Sequence, residues 1–175
     1  MVTVLQPYRA ERYQIGATRD GRLLALQPIT AAAADHLGEA IAQIGPWAHY
    51  AIAGTALAES FKSSHPVAAR YQIECAGESA GAVVIRPAWL VGPYLQMLAV
   101  LPAFQGQGIG SRVVAWFEAE ARLKGRSAWL CVSAFNPGAQ RLYRAHGFEL
   151  VATLGDLVRD GDDELLMRKR LVRAY

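Results

Sequence analysis

Apolar and polar residues change period several times along the chain, and each change marks an element. Residues 70–75 place Tyr71, Ile73 and Cys75 against Arg70, Gln72 and Glu74, the two-residue alternation of a half-buried strand. This run, Ala69 to Ala76, and the next, Ala80 to Arg86, flank Gly77-Glu78 and predict a hairpin. Upstream, Arg22 to Gln27 (RLLALQ) reads as a strand. Pro28 and Thr30 then introduce an alanine-rich helix in which Leu37, Ile41 and Ile44 recur at helical spacing, with Thr30 as N-cap and Gly45-Pro46 as terminator. A second helix, Thr55 to Lys62, carries Leu57 and Phe61 one turn apart, and Trp47, His49 and Tyr50 lie in the connector between the two. Those aromatics serve either as a packing hinge or as part of a binding wall.

After the turn at Gly92-Pro93, Tyr94 to Leu101 forms the central strand. A helix from about Gly108 to Lys124 follows, with Ile109, Val113, Trp116, Phe117 and Ala121 on one side and the pairs Glu118/Arg122 and Glu120/Lys124 exposed on the other. Ala128 to Val132 is a short buried strand, and Asn136-Pro137 opens a helix that stops at Gly147. Phe148 to Leu154 and Glu164 to Leu171 are strands joined by the acidic turn Asp160 to Asp163. Residues 1–21 are the least patterned: Val2, Val4 and Leu5 could begin a strand, and the polar run after Pro7 reads as a lead-in ending at Asp20-Gly21. The order βααβββαβαββ, without repeats or a linker, predicts one α/β domain over residues 22–175. Its sheet is mixed, mostly antiparallel, of about six to seven strands, with helices on both faces.

Composition narrows the class. With 175 residues, 53% hydrophobic and 19% charged, the chain is globular and of single-domain length. A formal charge of +3 from scattered arginines is no nucleic-acid footprint, though it favours an anionic cofactor. Cys75 and Cys131 fall in apolar strands and read as reduced core thiols. His36, His49, His65 and His146 show no metal-ligand spacing, so no metal is expected. Neither a signal segment nor an apolar run of membrane-spanning length is visible, and a soluble cytoplasmic protein with no membrane partner is the expectation.

The chemistry concentrates after the central strand, in LPAFQGQGIGSR. Gly106, Gly108 and Gly110 let successive backbone N–H groups converge, and the next helix adds its free N-terminal donors, a site for phosphate or pyrophosphate. A P-loop would need lysine after the last glycine, where Ser111 and Arg112 stand, and a dinucleotide fingerprint would need glycine at Ser111. The pattern Q-x-x-G-x-G, from Gln105 through Gly108 and Gly110, instead resembles the acetyl-CoA pyrophosphate loop of the GNAT acetyltransferase superfamily. The later segment Asn136 to Phe148, NPGAQRLYRAHGF, resembles that superfamily's N-x-x-A-x-x-L-Y-x-x-x-G-F block, in the same order and spacing.

That resemblance implies an acetyl-CoA-dependent N-acetyltransferase working by direct attack of an amine on the thioester. Backbone groups of Leu98, Ala99 and Val100, at a bulge where the strand splays, would pair with the pantetheine arm, and the Leu98 N–H would polarise the thioester carbonyl. The segment Gln105, Gly106, Gln107, Gly108, Ile109, Gly110, Ser111 would hold the pyrophosphate, Asn136 would contact pantetheine as well as cap its helix, and Tyr143 would protonate the departing thiolate. Trp47 and Tyr50 become candidates on the acceptor side. The pattern is broken at Gln96, where many members carry the glutamate that deprotonates the amine; Glu74, Glu78, His65 or groove carbonyls remain as proton routes. The acceptor is a small-molecule amine or a peptide, with another acyl group, a protein N-terminus or lysine, and a non-catalytic acyl-CoA-binding regulator as alternatives. A free sheet edge leaves a homodimer open.

Overall fold

The computed structural model describes residues 6–171, so the strand start expected at Val2, Val4 and Leu5 lies outside the described residues. Eight strands form one sheet: β1 (Tyr13–Ala17), β2 (Leu23–Pro28), β3 (Ala69–Cys75), β4 (Glu78–Trp89), β5 (Gly92–Val100), β6 (Ser127–Ser133), β7 (Glu149–Leu154) and β8 (Glu164–Arg170). Their order is β1-β2-β3-β4-β5-β6-β8-β7, and every neighbouring pair except β5 and β6 is antiparallel. The helices are α1 (Ala31–Ala42), α2 (Gly54–Lys62), α3 (Ile109–Ala121) and α4 (Pro137–Ala145).

The sheet is covered on both faces, and β4 shows why alternation disappears from its sequence. Val83 and Ile85 enter the core beneath α3, whereas Ala82 and Val84 enter a second core beneath α1 and α2. A strand buried on both sides reads as a continuous apolar run. Ile109, Val113 and Phe117 of α3 are each at most 1% exposed; burying such a side chain contributes roughly 1.5–3 kcal/mol. On the other face α1 and α2 cross closely at Gly38, where a Cβ would come within 2.5 Å of the Gly54 carbonyl oxygen. Thr30 caps α1 by accepting from the Ala33 N–H at 3.2 Å, as its position before the alanine run predicts.

Two expectations are corrected here. Part of the presumed lead-in forms β1, which pairs with β2 and raises the strand number to eight. The β-pattern of YQIGA, with Tyr13, Ile15 and Ala17 on the inner face, is short, stands within a polar run and carries a bulge between Gln14 and Gly16. Ahead of it, Tyr8 is 5% exposed, donates its hydroxyl to the Phe117 carbonyl at 2.8 Å and packs edge-on against Trp116. The second correction concerns the outer face of α3. Glu118 is buried and reaches Lys169 at 2.6 Å, while Glu120 accepts from the Tyr8 N–H at 2.8 Å. Tertiary partners from β8 and the N-terminal segment thus take carboxylates whose spacing suggested simple solvent-facing helix pairs.

Candidate active site

The site arises from two irregularities in β5. Val84 pairs with Met97 and Ile85 with Leu95, so Gln96 is an extra residue bulged out of the ladder. The bulge thus sits two residues ahead of Leu98, earlier than the Leu98 to Val100 position expected. On its other side β5 pairs with β6 only at Tyr94/Trp129 and Leu95/Leu130, after which the two parallel strands diverge. Leu101 donates its N–H to Ala80 at 2.9 Å, towards β4. With alternate residues facing opposite ways, the backbone groups of Leu98 and Val100 turn towards the gap. The Val100 carbonyl there accepts from the Gln105 side chain at 2.9 Å.

Beyond the gap, the loop and α3 present the expected donor cluster. Gly106 and Gly108 have φ of +75° and +86°, and Gly108 is the α3 N-cap. Arg112 is the first residue to return its N–H to the helix, at the Gly108 carbonyl. The N–H groups of Ile109, Gly110 and Ser111 therefore precede the helical ladder, at its positive end and without an acidic residue in the first turn. Leu98, Ala99, Val100, Gln105, Gly106, Gly108, Ile109 and Gly110 all border one elongated cavity of about 610 Å³, together with Asn136 and Tyr143. Gln107 and Ser111 do not border it. The Gln107 side chain pairs with Arg22 and Ala103, and the Ser111 hydroxyl lies 2.8 Å from His146 Nε2. Arg141, a variable position of the second block that sequence reasoning passed over, also lines this cavity and brings a positive charge to it.

Helix α4 is fixed at its start by Asn136 Oδ1, which accepts from the Ala139 N–H at 3.1 Å, and by the buried Gln140 side chain, which donates to the Ser133 and Ala134 carbonyls. Tyr143, in its second turn, is 7% exposed and packs on Phe148. Burial pushes its hydroxyl above the usual tyrosine range, so it is protonated at neutral pH. No protein hydrogen bond to that hydroxyl is found among the described residues.

A second cavity of about 220 Å³ meets the first: Pro46, Trp47, Leu98, Asn136, Ala139 and Tyr143 border both. Its remaining wall includes Tyr50, Ile52, Tyr94, Gln96, Cys131, Ser133, Leu157, Val158 and Glu164. The Gln96 amide oxygen accepts from Arg86 Nε at 2.9 Å. None of the acids or histidines expected as proton routes reaches this cavity. Glu74 pairs with Arg12 at the β2–β3 side, Glu78 lies at the β3–β4 turn, and His65 borders a separate groove beside α2. Glu164 was missed, because an isolated carboxylate opening a strand carries no spacing signal.

Comparison with known proteins shows the family and agrees with this fold. The sequence model of the acetyltransferase (GNAT) family matches residues 33–148. An acetyltransferase of Agrobacterium fabrum is 40% identical over an aligned stretch covering 39% of this chain, which spans about half (47%) of that relative's length. Among solved structures, Mycobacterium smegmatis RimJ in complex with CoA-disulfide aligns with a TM-score of 0.73 at 15% identity, covering 95% of this chain and 90% of that one. An acetyltransferase of Salmonella typhimurium that modifies the N-terminal serine of ribosomal protein L7/L12 aligns with a TM-score of 0.75 at 16% identity, covering 93% and 100%. A GNAT-family protein of Desulfovibrio desulfuricans gives 0.69 at 20% identity, covering 86% and 99%. At such identities the structural likeness speaks for the fold.

Proposed function

Because the chain belongs to the GNAT acetyltransferase family, we propose that it moves an acetyl group from acetyl-CoA to an amine by direct attack on the thioester. The observation that carries this reading is the meeting of two cavities at Leu98 and Tyr143. The larger one suits CoA: free N–H groups at the α3 start and the Arg141 side chain complement the pyrophosphate, and the outward backbone groups of Leu98 and Val100 complement the amide-bearing pantetheine arm. The Ser111 N–H belongs to that helix start, while the side chains of Gln107 and Ser111 are engaged elsewhere. Asn136 keeps its amide N–H groups for the pantetheine while its oxygen caps α4.

The acyl acceptor enters from the smaller cavity. The amine nitrogen bonds to the thioester carbonyl carbon, the Leu98 N–H stabilises charge growing on the carbonyl oxygen, and the carbon–sulfur bond breaks. Tyr143, kept protonated by burial, donates to the leaving thiolate. A covalent route through Cys131 is disfavoured, because burial raises its thiol above the ordinary range and so depletes the nucleophilic thiolate. The protein-modifying activity of the Salmonella neighbour makes peptide N-termini a second acceptor class to examine.

Calorimetric titration with acetyl-CoA, followed by thiol release against small amines and peptides, tests the reading. Binding with amine-dependent release supports it, and absence of binding removes it. Tyr143→Phe is expected to keep CoA affinity and lose about 100-fold or more in kcat; unchanged turnover would dismiss the acid assignment.

A further inference from the structure

Among the described residues two glutamates are buried, and their surroundings are opposite. Glu118 lies within 4 Å of three cationic or cation-forming side chains, Lys169, Arg122 and His146. Glu164 is 5% exposed, yet none of the ion pairs among the described residues includes it. It opens β8 opposite Ser133 of β6 and Leu154 of β7, and it borders the acceptor-side cavity. The Tyr50 hydroxyl donates to Glu164 Oε1 at 2.6 Å and also lies 3.2 Å from Ser133 Oγ. A buried carboxylate held by a hydroxyl but lacking a cation is expensive unless a counter-charge arrives from outside.

Its neighbours leave that role to a ligand. Tyr50 comes from the α1–α2 connector, Tyr94 from β5 and Cys131 from β6; burial first, and the bond to Glu164 second, pushes Tyr50 up to about 12. Burial also raises Tyr94 and Cys131, so all three stay neutral near pH 7. From the β7–β8 loop, Asp162 is already paired with His49 at 2.8 Å and with Arg159 at 3.8 Å. Among the described residues no lysine or arginine borders the cavity, whose walls otherwise include Trp47, Ile52, Met97, Leu157 and Val158 and the neutral polar Gln96 and Asn136.

We propose that Glu164 is the counter-charge and proton acceptor for the acceptor amine, and that this amine is a small primary alkyl- or arylalkylamine with no carboxylate beside its nitrogen. The assignment rests on the acetyl-transfer reading above. A small cavity of about 220 Å³ that combines aromatic and aliphatic walls with one anion and neutral polar groups accommodates an ammonium on a compact hydrocarbon. An amino acid would bring a second, unpaired anion towards Glu164. The ammonium gives one proton to Glu164, becoming the neutral nucleophile. Its nitrogen then bonds to the acetyl carbon as the carbon–sulfur bond breaks; Tyr143 protonates the thiolate and recovers a proton from the new amide nitrogen. The net products are the amide, CoA thiol and one proton, which Glu164 returns to solvent.

The test uses the full chain with acetyl-CoA and, as acceptors, 2-phenylethylamine, n-butylamine, phenylalanine and a serine-initiated tetrapeptide. Wild type is expected to acetylate the two simple amines with an acid limb in the pH profile of kcat/KM. Glu164→Gln should bind CoA unchanged, fall about 100-fold or more at pH 7, and regain rate only as pH approaches the amine's own pKa of about 10. Glu164→Asp should retain the acid limb at an intermediate rate, which separates proton transfer from a folding defect. Equal rates and pH profiles in wild type and Glu164→Gln would overturn Glu164 while leaving acetyl transfer standing. Activity on phenylalanine equal to that on 2-phenylethylamine, or confined to the peptide, would overturn the acceptor assignment. Absence of thiol release from wild type with every acceptor would remove the transfer reading itself.

Discussion

At the scale of single residues, the loop depends on backbone conformations that most side chains resist. Gly108 combines a φ of +86° with the N-cap position of α3, and a β-branched residue there would be strained by roughly 1–2 kcal/mol. Gly108→Val is therefore expected to lower stability by about that amount and weaken CoA binding at least tenfold, because the donor cluster turns away from its convergence point. Thermal unfolding and calorimetric titration would read the two effects separately; unaltered affinity would place the pyrophosphate elsewhere. This loop was legible in the sequence because its geometry demands glycine. Asn136 was legible as a helix cap, which the Ala139 N–H bond bears out, while Tyr143 and the cofactor role of Asn136 came only through the resemblance of their segment to the family block, and both residues do border the larger cavity. Glu164 and Arg141 were not legible: elements distant in sequence bring them to the cavities, and no local spacing encodes that convergence, whereas Tyr50, named beside Trp47 for the acceptor side, does line the smaller cavity.

At the scale of elements, α3 is tied to the far strands through Glu118. Lys169 from β8 and His146 just past α4 converge on this one carboxylate, with Arg122 from the same helix. Lys169→Met removes the 2.6 Å partner of a carboxylate that is 6% exposed at its side chain. It should destabilise the fold by about 3 kcal/mol, as expected when a buried pair loses one member. Chemical denaturation would measure it, and a change below 0.5 kcal/mol, as for about the weakest surface pairs, would mean that the remaining cations or water suffice. Periodicity located α3 correctly but assigned Glu118 to solvent, since a helical wheel records which residues share a face and not what lies against it. The hairpin β3–β4 and the cap of α1 were readable because short-range turn and cap chemistry determines them. Strand β1 was not, because its alternation spans only five residues inside a polar run and it is stabilised by pairing with a strand across the Asp20-Gly21 turn.

At the scale of the whole molecule, tyrosines knit the layers together and make stability fall in alkali. Burial raises the hydroxyls of Tyr8, Tyr13, Tyr71, Tyr94 and Tyr143, and burial together with Glu164 pushes Tyr50 up to about 12. A pKa raised on folding means that the unfolded chain binds fewer protons above pH 10, so the stability present below that pH is lost as pH climbs towards and past the folded values. The melting temperature should therefore drop steeply above about pH 10, with tyrosinate absorbance appearing together with unfolding. Gradual ionisation of all tyrosines ahead of any structural loss would contradict the packing described. The divergence of β5 and β6 has its own consequence at this scale. An open sheet ordinarily has two margins; this one has four, because each of these strands bares a further margin past Leu95 and Leu130. The outer pair lies at β1 and β7, where another polypeptide could add, while the inner pair opens onto the larger cavity, bordered by α4 and the α1–α2 connector. Under the proposed function it is the pantetheine arm that would occupy the inner margins, in the place an added strand takes at an outer one.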